Sequence, residues 1–155
     1  SYNSLGKELG IGPAITYTYL NDVGLNSGRY SEKVSENKIK LIKRALNLNM
    51  GVSDIAYFTN INDSTISFYK QRSEHHKRKL FYIYYGKNEM INYRTASKTY
   101  EALDLKFSKK EVIELLDLKE KAFDYLKENR KKIETKIISD LKVLYPDKTV
   151  EKPYL

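Results

Sequence analysis

The sequence predicts an all-α protein of three tandem helix-turn-helix units joined by helical linkers, with a short β-hairpin near residues 80–94 as the competing local form. Three observations predict it: the chain matches itself at an offset of 57 residues, apolar side chains recur at helical spacing, and residues that tolerate a left-handed backbone stand at the expected turns. The units fall over 1–34, 35–92 and 93–145, followed by a tail over 146–155.

The match aligns residues 45–73 with 102–130 without a gap. Ala45, Leu46, Leu48 and Lys70 recur as Ala102, Leu103, Leu105 and Lys127. Met50, Ile55, Phe58, Ile61, Ile66 and Phe68 answer to Phe107, Val112, Leu115, Leu118, Phe123 and Tyr125. Core positions repeat while surface positions diverge, as expected of one structural unit used twice.

In the N-terminal unit, residues 5–21 place small Gly6 at a helix crossing and Gly10 at the turn. A helix opened by Pro13 follows, and its outward residues are Pro13, Ala14, Tyr17, Thr18 and Asn21. The helix that should precede this pair is missing, since only Ser1 to Asn3 come before it.

The central unit predicts a helix over 36–48 capped by Ser35, a second over 54–59 capped by Ser53, and a third that starts after Asn62 and runs at least to Gln71. Asn60 makes the turn, because asparagine enters the left-handed region cheaply. Ile55, Ile61, Ile66 and Tyr69 face inward, and Ala56 is the small residue at the crossing. Repeat symmetry favours continuing the third helix over 63–85, through His76, Leu80, Ile83 and Tyr84 to Gly86. The Tyr and Ile content of 80–94 supports the hairpin instead.

In the C-terminal unit, Ser108 and Glu111 form a capping box for a helix over 109–116, and Asp117 makes the turn. An apolar stripe of Leu118, Ala122, Leu126, Ile133, Ile137, Leu141 and Leu144 carries helix to Tyr145, where Pro146 stops it.

Composition narrows the functions. The 155 residues carry 28 Lys and Arg against 20 Asp and Glu, a formal charge of +8, and no cysteine. Cysteine-based metal sites, disulfides and thiolate catalysis are excluded. Residues 37–79 hold nine basic and three acidic side chains, so most of the excess lies there, as a phosphate-facing surface requires. No apolar run could span a membrane, and no export pattern opens the chain, so a cytoplasmic, DNA-associated protein without a membrane partner is expected. The chain lacks a P-loop and a dinucleotide fingerprint, and its adjacent His75 and His76 point in different directions on a helix. No enzymatic activity, cofactor or metal is therefore expected. His75 and Arg78 alone do not make a tyrosine recombinase in so short a chain. The many tyrosines are expected to pack with their rings while their hydroxyls stay wet.

A helix-turn-helix lays its second helix in the major groove of DNA. The candidate reading residues of the central unit are Asn62, Asp63, Ser64, Ser67, Phe68, Gln71 and Arg72, whose amide, hydroxyl, guanidinium and phenyl groups suit base edges and thymine methyls. Lys43, Arg44, Lys70, Lys77 and Arg78 are candidates for the phosphate backbone, as are Lys38, Lys40 and Lys79. In the C-terminal unit Lys119, Lys121 and Tyr125 could touch DNA. Glu120, Asp124 and Glu128 form an acidic stripe there that repels phosphate and leaves a protein partner as the other role. These features imply a monomer that recognises an extended, asymmetric duplex site. The rivals are a transcriptional repressor or plasmid maintenance factor, the DNA-binding subunit of a recombinase or transposase, and an interaction adaptor.

In its size, basic charge and three imperfect helix-turn-helix repeats, the chain resembles the archaeal family that binds the repeats of CRISPR arrays. That resemblance covers nearly the whole chain and rests on architecture without a diagnostic motif. It implies binding to the repeat DNA of that locus and modulation of its transcription.

Overall fold

A computed structural model describes residues 34–155. The chain divides into two compact units, Ser1–Glu36 and Asn37–Leu155, and the second holds nearly all the described residues. The N-terminal candidates Pro13, Ala14, Tyr17, Thr18 and Asn21 lie outside the described residues.

The described residues are mostly helical. In chain order they form α1 (Glu36–Asn47), α2 (Val52–Thr59), α3 (Asp63–Gln71), a 3-10 turn (Glu74–Lys77), β1 (Ile83–Gly86), β2 (Glu89–Ile91), α4 (Tyr93–Asp104), α5 (Lys109–Leu116), α6 (Glu120–Glu128) and α7 (Arg130–Leu144). The bounds of α4, α5 and α6 equal those of α1, α2 and α3 moved on by 57 residues, at both ends of every helix. The turns follow the same shift. Asn49 and Lys106 have φ of 59° and 67°, and Asn60 and Asp117 have 55° and 49°. The Met50 N–H donates to the Ala45 carbonyl as the Phe107 N–H does to that of Ala102. The left-handed turns at Asn60 and Asp117 are thus as expected from residue type.

The capping box of Ser108 and Glu111 forms, with each side chain bonded to the other's backbone N–H. Ser53 is not the cap of α2. The N-cap is Gly51, which stands where the repeat places Ser108, and Ser53 lies inside the helix. Asn62 occupies the N-cap position of α3 without a side-chain bond to the helix start.

The helix expected over 63–85 does not form, and the hairpin alternative holds within narrower bounds. α3 stops at Gln71, where the Ser73 hydroxyl donates to the Lys70 carbonyl and the backbone of Ser73 turns extended at φ −117° and ψ 160°. Beyond the 3-10 turn, Ile83 pairs with Ile91 and Tyr84 with Met90 in an antiparallel hairpin, irregular between Tyr84 and Gly86. Its aromatic and β-branched residues favour a pleated, half-buried surface, and Ile83 and Ile91 are buried in the core.

The C-terminal stripe is buried from Ala122 to Leu144 as its spacing predicts, with Leu118 partly buried, but the helix breaks at Asn129, which separates α6 from α7. Residues 146–155 are not a free tail. Val150 is 5% exposed, Pro153 is buried, and the Tyr154 hydroxyl donates to Asp104 at 2.7 Å. Tyrosine hydroxyls also depart from expectation. Those of Tyr93 and Tyr100 are buried and donate to Asp140 at 2.6 Å and to the Leu126 carbonyl at 2.8 Å. Burial is the main reason that both phenols titrate well above their ordinary range.

One core joins the first repeat, the hairpin, α4, α6 and α7 around Ile42, Ile55, Ile66, Tyr93, Tyr100, Leu126 and Leu141. A second, small cluster of Ala102, Val112 and Phe123 belongs to the second repeat. No helix among the described residues is long and apolar enough to cross a membrane.

Candidate nucleic-acid interface

α3 is held by its inner side. Ile66 is fully buried, Ile61 is 6% exposed, and Tyr69 packs against the core with Ala56 at the crossing with α2. Residues three, four and seven apart share a helix face, so Ser64, Ser67, Phe68 and Gln71 form one outward stripe. Ser64 and Gln71 are exposed, Phe68 is 48% exposed, and Ser67 is half-buried. Asn62 and Asp63 stand exposed at the helix start. A nine-residue helix is about 13 Å long, which matches the width of the major groove.

Arg72 lies closer to the helix than expected. Its guanidinium stacks 3.5 Å from the Phe68 ring centroid and donates to the Phe68 carbonyl at 3.1 Å. Phe68 and Arg72 therefore form one stacked surface at the end of α3. Lys77, Arg78 and Lys79 follow it, all exposed, and Lys70 is half-buried on α3 itself. Lys43 is exposed on α1. Arg44 serves the fold, since its guanidinium donates to the Leu144 carbonyl at 3.3 Å at the end of α7. His75 is also engaged, 2.6 Å from the Asn47 side-chain oxygen, and desolvation followed by the charge of Arg78 lowers its pKa.

α6 occupies the same place in the second repeat, and two of the three carboxylates of its stripe are paired within the molecule, while Glu128 is exposed. Lys109 of α5 binds Glu120 at 3.0 Å and Asp124 at 2.8 Å, with Asp124 the main cause of the raised Lys109 pKa. The hairpin lies beside α6 at two further positions. The Tyr85 ring lies 6.4 Å from that of Tyr125, Glu89 is 3.6 Å from Lys121, and a Cβ on Gly86 would sit 3.1 Å from the Lys121 ammonium. Lys121 and Tyr125 thus serve contacts within the molecule, while Lys119 remains exposed at the helix start.

Two features escape sequence reasoning. Exposed Tyr84 and Met90 are cross-strand partners on the hairpin surface, a pairing that follows from its register. Asp54, 2% exposed, accepts from the backbone N–H groups of Arg94 at 3.0 Å and Tyr93 at 3.4 Å, tying α2 to the start of α4. Burial raises its pKa although both N–H bonds oppose that shift. A carboxylate at a helix N-terminus is stabilising, but nothing local in the sequence joins positions 54 and 93.

The chain matches no family model, no curated protein and no solved structure.

Proposed function

We propose that this protein binds double-stranded DNA with sequence preference and without enzymatic activity, its two described helix pairs, α2–α3 and α5–α6, being helix-turn-helix units. The observation that carries the reading is the stripe of Ser64, Ser67, Phe68 and Gln71 on α3, exposed or half-exposed and backed by a fully buried Ile66. Gln71 offers a bidentate pair to adenine, the serines reach bases or phosphates, and the Phe68–Arg72 stack presents a flat apolar and cationic surface to a thymine methyl. Lys43, Lys77, Arg78 and Lys79 supply sequence-independent phosphate contacts.

A second reading helix is better supplied from elsewhere, because the acidic stripe on α6 repels phosphate, Lys109 pairs with two of its carboxylates, and the hairpin lies against Tyr125. The N-terminal unit of the same chain would supply it in an extended asymmetric site. CRISPR repeat DNA is the target that the family resemblance suggests, with transcription of that locus modulated by occupancy. A repressor acting as a dimer would instead select a two-fold site.

Selection of bound fragments from random duplexes, with CRISPR repeat duplexes as added competitors, tests the reading. Gln71→Ala should relax base preference at one position at a cost of about 1–3 kcal/mol, whereas Lys43→Ala should weaken all sequences alike and flatten the salt dependence. Equal losses on selected and random duplexes for Gln71→Ala would show that α3 does not read bases. The absence of salt-dependent binding to any duplex would remove the function.

A further inference from the structure

The two repeats differ in what covers one face. In the first, Leu48 is partly buried, Met50 is 2% exposed and Phe58 is 4% exposed. Later parts of the chain close over this face: the Phe81 N–H donates to the Asn49 carbonyl at 2.9 Å, and the Tyr145 hydroxyl donates to the Phe58 carbonyl at 2.8 Å. The same positions of the second repeat are Leu105, Phe107 and Leu115, which are 64%, 38% and 65% exposed. Leu115 and Leu105 are the most exposed large apolar side chains among the described residues. Grouped apolar exposure of this kind marks an interaction site, whereas single exposed leucines do not.

We propose that this face is a docking surface for a second copy of the chain, joined by packing of α5 against α5 about a two-fold axis. The charges on α5 and its flanking turns select that occupant. Lys109 is already paired with Glu120 and Asp124, and the remaining Lys106, Lys110 and Lys119 stand exposed there with Glu111, Glu114 and Asp117, so the rim is balanced and of mixed sign. A duplex would meet three carboxylates at this surface. A second copy turned by the two-fold brings ammonium groups toward carboxylates while the leucines are buried. The balanced rim also spares this patch the repulsion that a formal charge of +8 imposes on self-association elsewhere. Three apolar side chains per copy make a small interface, the class to which weak and transient associations belong. The pairing does not depend on duplex binding. It leaves α3 free on both copies, and a dimer that does bind DNA would present two reading helices to a two-fold site.

The test is sedimentation of the full chain without DNA, from low to high micromolar. Wild type should pass from monomer to dimer. Leu115→Asp should weaken dimerisation by about tenfold or more with an unchanged thermal melt, since that position is 65% exposed. Leu105→Asp is the second variant, read in the same way if the first misfolds. Val143→Asp, at an exposed apolar position on α7, should leave assembly intact. Wild type that stays monomeric at every concentration, or dimers equally tight with both aspartates in place, would overturn the proposal, whatever DNA binding shows.

Discussion

The first and second repeats share helix bounds, turn residues and turn hydrogen bonds, yet they sit in the molecule differently. The first joins the main core and keeps its third helix, α3, outward. The second also sends Tyr93, Tyr100, Ala122 and Leu126 into that core but has a three-residue buried cluster of its own, and the hairpin lies against its third helix, α6. Backbone form therefore depends on a few shared residue types, while use of a helix face depends on what the rest of the chain lays over it. α6 carries an acidic stripe and a half-buried Tyr125 against the hairpin, whereas α3 exposes Phe68 at the matching position and is flanked by basic segments.

The largest test of this comparison is a pair of truncations at one repeat position. Phe58→Ala should cost about 3–5 kcal/mol of stability, because the ring is 4% exposed in the main core. Leu115→Ala should stay within about 0.5 kcal/mol, because its side chain is 65% exposed. Urea denaturation at low protein concentration measures both, and similar losses would show that the second face is covered after all.

Next in size is the turn. Asn60→Val should lose about 1–2 kcal/mol, since β-branching penalises the left-handed backbone that Asn60 adopts at φ 55°. Asn60→Gly should be tolerated. A thermal melt unchanged by valine would mean that the turn can be rebuilt.

The Asp54 bridge predicts a pH dependence. Burial raises the folded pKa above its ordinary 3.8, so the unfolded chain ionises first and stability falls as pH rises from about 4 through the folded value. Below that window the contribution is fully present. Asp54→Asn should remove this slope, as read from the difference between wild-type and variant urea midpoints across pH. The matched residue of the second repeat, Glu111, is exposed and caps its own helix instead of bridging to another.

The smallest effect comes from giving the first repeat the cap of the second. Gly51→Ser should add a few tenths of a kcal/mol. A Cβ there meets only the Leu80 side chain at 3.7 Å, an ordinary contact. A destabilised Gly51→Ser would show that α2 begins under a constraint that α5 lacks.

Glycine and serine at this one position also explain why the repeats connect differently. Ser108 pairs with Glu111 within its own helix. Gly51 has no side chain to make that bond, and Asp54, at the position matching Glu111, reaches to α4 instead. The offset of 57 places the cap at Gly51, whereas Ser53 attracts attention because serine is the better capping residue in isolation. Arg44 and Lys121 were legible as basic, but their engagement with the Leu144 carbonyl and Glu89 involves partners distant in the chain.

Although the Gly51 cap, the end of α3 at Gln71 and the break at Asn129 were not legible in it, local sequence determined the left-handed turns, the Ser108 capping box and most helix bounds, because caps, turns and apolar periodicity act over three or four residues. That is why the helices of both repeats have the same bounds and Asn60 and Asp117 the same backbone form. Tertiary structure decided between helix and hairpin over residues 80–94, packed residues 150–154 back onto the molecule, and set Tyr125 of α6 against the hairpin while Phe68 of α3 and the leucines of α5 stay exposed. Those outcomes depend on contacts between residues tens of positions apart, and burial is a property of what meets a side chain as well as of the side chain itself.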